Sequence, residues 1–196
     1  IEAHVALDGA ATGNLTNAVT DVAIADGASC VHIKSFVDRA GSTHLSTWTT
    51  RIGKDASYRG FQLTASPALA RNDINITFAG TGGKLDLSGV FLARGSEHID
   101  TTLVVDHAVP ECESRELFKG VLDGRAHGVF QGKIIVRPDA QKTDGKQMSQ
   151  ALMLSPDAQF SSKPELEIYA DDVVCGHGAT CTEIDGDLMF YCRSRG

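Results

Sequence analysis

Apolar and polar residues alternate along much of this chain. Val31-His32-Ile33-Lys34, Ile74-Asn75-Ile76-Thr77-Phe78, Leu85-Asp86-Leu87 and Leu166-Glu167-Ile168-Tyr169 change character at nearly every step. That is the period of a strand with one buried face. Twenty glycines, with many Asp, Asn and Ser residues, break the pattern every several residues, as short strands joined by tight turns require. One stretch runs against the trend: Leu117, Phe118, Val121 and Leu122 have helical spacing. Gly120 and Gly124 interrupt it, each at about 1 kcal/mol in a helix interior, so a strand with bulges is predicted there.

A weak repeat recurs where the strands should end. An apolar residue, a short spacer and an Asp-small turn appear as Ile24-Ala25-Asp26-Gly27, Ile52-Gly53-Lys54-Asp55-Ala56, Val136-Arg137-Pro138-Asp139-Ala140 and Leu154-Ser155-Pro156-Asp157-Ala158. Asp suits such turns because its side chain can bond to the local backbone. Strand–turn units without intervening helices point to a solenoid whose coils stack on one another. The irregular spacing also admits a β-sandwich. No linker or low-complexity segment divides the chain, so residues 1–196 read as a single domain.

Composition narrows the function classes. The 196 residues are 42% hydrophobic and 22% charged, with net charge −7, and Lys and Arg are scattered. A nucleic-acid or anionic-membrane surface needs a concentrated basic footprint, so neither is expected. No stretch approaches the roughly 18 apolar residues of a membrane span. Ile1-Glu2-Ala3-His4 shows no initiator Met and no signal pattern, Val5 and Leu7 already alternate, and Tyr191-Cys192-Arg193-Ser194-Arg195-Gly196 is abrupt; the chain reads as a piece of something longer. Five cysteines, Cys30, Cys112, Cys175, Cys181 and Cys192, are an odd number in a chain of this size, and free thiols in a reducing, cytoplasmic compartment are expected.

The densest chemistry lies in Asp171-Asp172-Val173-Val174-Cys175-Gly176-His177-Gly178-Ala179-Thr180-Cys181. Cys175 and His177 are two apart and share one face of an extended strand. Thiolate and imidazole suit zinc, iron or copper, and two glycines leave the ring accessible to a neighbouring chain. Two ligands do not complete a tetrahedral site, and Cys181 joins them only if a turn brings it back. The plainer alternative makes Cys175 a small buried hydrophobe and His177 an ordinary surface residue. A catalytic Cys–His dyad is disfavoured, because side chains two apart on a strand run parallel and no orienting third group is legible.

Elsewhere, His98, His107 and His127 lie near Asp100, Asp106 and Asp123; they could line a groove or supply ligands, although turn and capping roles are commoner. Arg125 and Lys133 near His127 read as solvated surface. Gly80-Thr81-Gly82-Gly83-Lys84 lacks the spacing of a phosphate loop, so no ATP hydrolysis by this chain is expected. Gly9-Ala10-Ala11-Thr12-Gly13 lacks a dinucleotide-site context.

Several segments carry a resemblance. They are His98-Ile99-Asp100-Thr101, Ser114-Arg115-Glu116-Leu117-Phe118-Lys119-Gly120, Gly128-Val129-Phe130-Gln131-Gly132-Lys133-Ile134 and Ala140-Gln141-Lys142-Thr143-Asp144. Pro164-Glu165-Leu166-Glu167-Ile168-Tyr169-Ala170-Asp171-Asp172-Val173 and Phe190-Tyr191-Cys192-Arg193-Ser194-Arg195-Gly196 complete the set. Together they resemble the core of the SufB/SufD family of iron–sulfur cluster assembly proteins; the first half fits less distinctly. Cys175-Gly176-His177-Gly178-Ala179-Thr180 is similar to the Cys-x-His-Gly-Ala-Thr motif of one branch, where SufB carries a Glu-containing version. Leu152-Met153-Leu154-Ser155-Pro156-Asp157-Ala158 lacks the cysteine that SufB carries there, which argues against a role as principal sulfur acceptor.

The resemblance implies a right-handed parallel β-helix between helical flanking domains that are missing here. It implies a non-catalytic scaffold in a SufBCD complex, paired with SufB or with a second copy of itself. The SufC ATPase would dock through the missing C-terminal domain. It places Cys175 and His177 at the subunit interface as ligands of iron or a nascent cluster, with Asp171 and Asp172 beside them. No cofactor is expected to be held tightly by this fragment, and no flavin motif is present. Two other readings remain open from the residues. One is a β-helical carbohydrate-active enzyme using Asp100, Asp106 and Asp171–Asp172, which would need carboxylates about 5–10 Å apart. The other is an autonomous metal-binding protein built on Cys175, His177 and Cys181.

Overall fold

A computed structural model describes residues 13–37, 41–183 and 185–196. The alternation of Val5 with Leu7 and most of the Gly9–Gly13 cluster lie outside them. Among the described residues, the alternating segments form twelve strands in two parallel sheets. The first sheet holds β1 (Leu15–Ile24), β3 (Thr43–Ile52), β5 (Leu69–Phe78), β7 (His98–His107), β9 (His127–Val136) and β11 (Gln159–Ile168), in that spatial order. The second holds β2 (Ser29–Val37), β4 (Ser57–Ala65), β6 (Lys84–Ala93), β8 (Glu113–Leu122), β10 (Asp144–Met153) and β12 (Val174–Glu183). Successive strands alternate between sheets, so the chain winds as a β-solenoid and each strand pairs with the one two places on. The sandwich alternative is thereby excluded, because its sheets are antiparallel.

Each coil lays one row of side chains inward from each sheet. Thr43 stands beside Leu69 and His127 beside Gln159, so a coil takes between 26 and 32 residues. In-register stacking turns the inward positions into columns such as Ile24, Ile52, Phe78, His107 and Val136. Trp48, Tyr58, Phe78, Phe118 and Phe130 are fully buried there, each removing a large apolar area from water.

The stretch with helical spacing is strand β8. It pairs residue for residue with both β6 and β10, so the predicted strand is found and the predicted bulges are not. Leu117 points outward and Phe118 inward; the sequence looks helical because both faces of this strand are partly apolar. Gly89 stands beside Phe118, and Phe91 beside Gly120. Each ring occupies the space that a side chain on the glycine opposite would need.

The Asp-small repeat marks strand exits: Ile24, Ile52 and Val136 end β1, β3 and β9, and Leu154 follows β10. Its aspartates do more than tie local turns. Asp26 Oδ1 accepts from the Lys54 amide at 2.7 Å, linking one coil to the next. Gly80 to Gly83, which lacks the spacing of a phosphate loop, is such a corner. A side chain at Gly80 would strike the Lys54 backbone, and Gly82 has φ +71°, a left-handed conformation that glycine adopts freely. A short helix, α1 (Gly186–Ser194), follows β12 and was not foreseen. Asp185 caps it, accepting from the Leu188 amide, and none of its residues is buried. With no apolar face against the core, it leaves little periodic signal. No helix among the described residues is long and apolar enough to cross a membrane.

Candidate functional site

Strand β12 is the last of the second sheet and β11 the last of the first. Among the described residues no further strand pairs with either, so both present open edges. The corner between them is tied to the coil beneath. The Lys142 amide donates to the Asp172 carbonyl at 2.6 Å, the Asp172 amide donates to Gln141 Oε1 at 2.9 Å, and Lys142 Nζ donates to Asp172 Oδ2 at 2.7 Å. Lys142 takes φ 60° to make these contacts. Asp172 is therefore engaged within its own chain, while Asp171 is exposed.

From this corner β12 runs straight to Glu183 in register with β10. Cys175 faces inward, packing against the cluster of Ile134, Val136, Ala140 and Ala170. Gly145 lies directly beneath it. The thiol is half-buried, and burial raises its pKa. A backbone hydrogen bond at Gly145 opposes the rise, while Asp144 and Glu116 add to it. Alone at neutral pH it is a thiol; an arriving metal must displace its proton. His177 shares that face but is exposed, since no coil covers it. About 7 Å of strand separates the two Cα atoms, consistent with parallel side chains and not with a catalytic dyad. Cys181 sits on the same unbroken strand, about 20 Å from Cys175, so no turn brings it back. This removes the Cys175–His177–Cys181 set on which an autonomous metal protein would rest. All five cysteines stand as free thiols.

Beneath His177 lies a polar column that sequence reasoning missed. His177 stands beside Gln147, and Gln147 beside Glu116. Gln147 reaches across the interior to donate to the Gly132 carbonyl at 3.2 Å. Glu116 is 2% exposed, its carboxyl enclosed in the interior. Burial pushes its pKa up to about 8; Ser114 and Arg115 oppose this only in part. The carboxyl is thus neutral near pH 7. His107, also in the interior, is held down at about 4 by burial, with Asp106 opposing, and its Nε2 meets Ser114 Oγ at 3.0 Å. Strand parity was the available signal: Ser114 and Glu116 have the same parity as Phe118 and Leu122.

The other candidates separate. His107 faces inward and His98 outward, so the three mid-chain histidines do not line one groove. His98 and His127 do meet on the outer face. Asp100 is held by Arg71 at 3.1 Å and Asp106 by Arg137 at 3.0 Å. Asp123 is held by Ser155 and by the Gly124 amide. These carboxylates are committed to ion pairs and turns, and Asp100 and Asp106 lie about 20 Å apart along one strand. A paired acid–base site for sugar cleavage is not assembled from them. Lys133 pairs with Glu167 at 2.8 Å and Arg125 donates to Ser96 at 3.3 Å.

Comparison with known proteins identifies the family. The family model described as SUF system FeS cluster assembly, SufBD core domain, matches residues 1–196. The iron–sulfur cluster assembly protein SufD of Escherichia coli is 33% identical over 196 residues, covering all of this chain and 46% of that protein. A SufBD family protein of Mycobacterium tuberculosis is 34% identical over 204 residues, covering all of this chain and 51% of its own length. The chloroplastic protein ABCI7 of Arabidopsis thaliana is 28% identical, covering 92% of this chain and 38% of that protein. The chain thus spans about half the length, or less, of these relatives. With a matching core domain along its whole length, the chain belongs to the SufB/SufD family of iron–sulfur cluster assembly proteins.

Proposed function

We propose that this chain is the core of a scaffold subunit in iron–sulfur cluster assembly. Its last coil pairs with a second β-solenoid subunit, SufB, or with another copy of itself. Cys175 and His177 serve there as ligands for iron or a nascent cluster as cargo. The observation that carries this reading is their placement: a thiol and an imidazole share one face of the end strand, beside two unpaired edges. Thiolate and imidazole suit iron, and two ligands alone leave a site incomplete. A partner strand added at the edge would supply the rest. Completion at a seam makes loading depend on how the subunits sit, so an ATPase partner such as SufC can open or close the site by shifting that population. The chain works as a scaffold rather than a catalyst, and its free thiols fit the reducing cytoplasm.

The test uses the full-length protein with SufB and SufC, wild type beside Cys175→Ala/His177→Ala. Light scattering should show the same complex for both, because neither side chain builds the coil beneath. Cluster yield should fall at least tenfold in the variant. A wild-type yield from an intact variant complex would refute the ligand role, and failure of the wild type to form any complex would refute the pairing.

A further inference from the structure

His98 opens β7 and His127 opens β9, and the two stand side by side in register on the outer face of the first sheet. Both are half-buried. Their ring centroids are 4.9 Å apart with planes 72° to one another. Two imidazoles sharing one ion, each nitrogen about 2.0–2.1 Å from it, place their centroids about 4.5–5.2 Å apart at ligand angles near 90–110°. The pair already has that separation.

Its surroundings orient one of the rings. His127 Nε2 lies 3.0 Å from Ser161 Oγ on β11. With Nε2–H donating there, Nδ1 carries the free lone pair, and the ring is held as ligating histidines commonly are. Asp100 lies two residues along the same face, with Oδ2 on Arg71 and Oδ1 unpartnered among the described residues. It adds negative charge beside the pair without being spent on it.

We propose that His98 and His127 form a cross-strand chelate for an exchangeable divalent transition-metal ion, distinct from the Cys175–His177 seam. Imidazole donors select nickel, copper, zinc, cobalt or ferrous ions over magnesium and calcium. No three described side chains converge on one metal position, so water completes the coordination and the ion exchanges readily. The site depends on coil register alone: residues 29 apart in sequence become neighbours because β7 and β9 pair.

The test is made on full-length, tag-free protein carrying Cys175→Ala/His177→Ala, so that the seam is silent. Nickel should bind with one equivalent by calorimetry and raise the melting temperature. His98→Asn and His127→Asn should each weaken binding at least tenfold, since a chelate needs both rings. Melting without metal checks that each variant folds. Copper(II) EPR of the parent should show two equatorial imidazole nitrogens. Absence of nickel binding in the parent, full affinity in either folded single variant, or an EPR signature with fewer than two imidazoles would overturn the proposal.

Discussion

Gly89→Ala and Gly120→Ala are each expected to destabilise the solenoid by about 3 kcal/mol, at the upper end of the range for overpacking a core. The two positions form a reciprocal interlock: Phe118 lies over Gly89, and Phe91 over Gly120. Neither ring can step aside. Phe118 packs on Phe130 with centroids 4.8 Å apart, Phe91 stacks on Phe160 at 6.0 Å, and both Phe118 and Phe91 are 2% exposed. A new methyl must therefore displace a packed ring or spread the coils, and spreading strains the ladder hydrogen bonds on both sides. Urea denaturation measures the loss. Adding Phe118→Leu to Gly89→Ala should recover at least about 1 kcal/mol relative to the sum of the single changes, as coupled neighbours do. Strict additivity would show that the clash is relieved elsewhere.

The second large effect comes from Glu116, whose carboxyl is buried and neutral. Its folded pKa of about 8 lies above the ordinary value of 4.5. The stabilisation from holding its proton is fully present below pH 4.5 and is lost as pH rises towards 8, where the folded protein must ionise a buried acid or surrender structure. Glu116→Gln keeps the shape and removes the titration. Its stability relative to wild type should increase by roughly 3–5 kcal/mol between pH 4.5 and pH 8. Arg115 on its own strand and Cys175 on β12 are the charged and titratable groups that interact with Glu116. His107 works in the opposite sense, its contribution being present above 6.5 and lost as pH falls towards 4. Lys34, buried near the other end and lowered to about 8, also titrates. All are common to both proteins, so the difference between the two profiles isolates Glu116. Parallel profiles would mean the carboxyl is ionised, or hydrated, in the folded state.

These residues show what a single sequence makes legible. Alternation revealed which segments are strands and which face of each is buried, and that parity placed Cys175 and His177 on one face. It could not reveal neighbours. Glu116, Gln147 and His177 form a column, and His98 meets His127, only because coils of 26 to 32 residues bring those positions into register. The varying corner lengths that make the coils unequal also blurred the repeat and kept a sandwich in play. The helical spacing around Leu117 arises because the outer face of the second sheet is itself partly apolar: Ile33, Phe61, Leu92 and Leu117 are exposed there. Alternation alone could not show the open edges beside the site, since an edge is defined by the absence of a neighbouring strand; only the family resemblance pointed to an interface there.

The most direct test of the seam is spectroscopic. The full-length complex with SufB and SufC, purified without metal, is loaded with cobalt(II) as a probe for iron. A sulfur-to-cobalt charge-transfer band should appear and be lost in Cys175→Ala, and the ligand-field bands should weaken in His177→Ala, while light scattering shows both complexes intact. Unchanged spectra in both intact variants would place the cargo on other residues and rule out the Cys175–His177 seam.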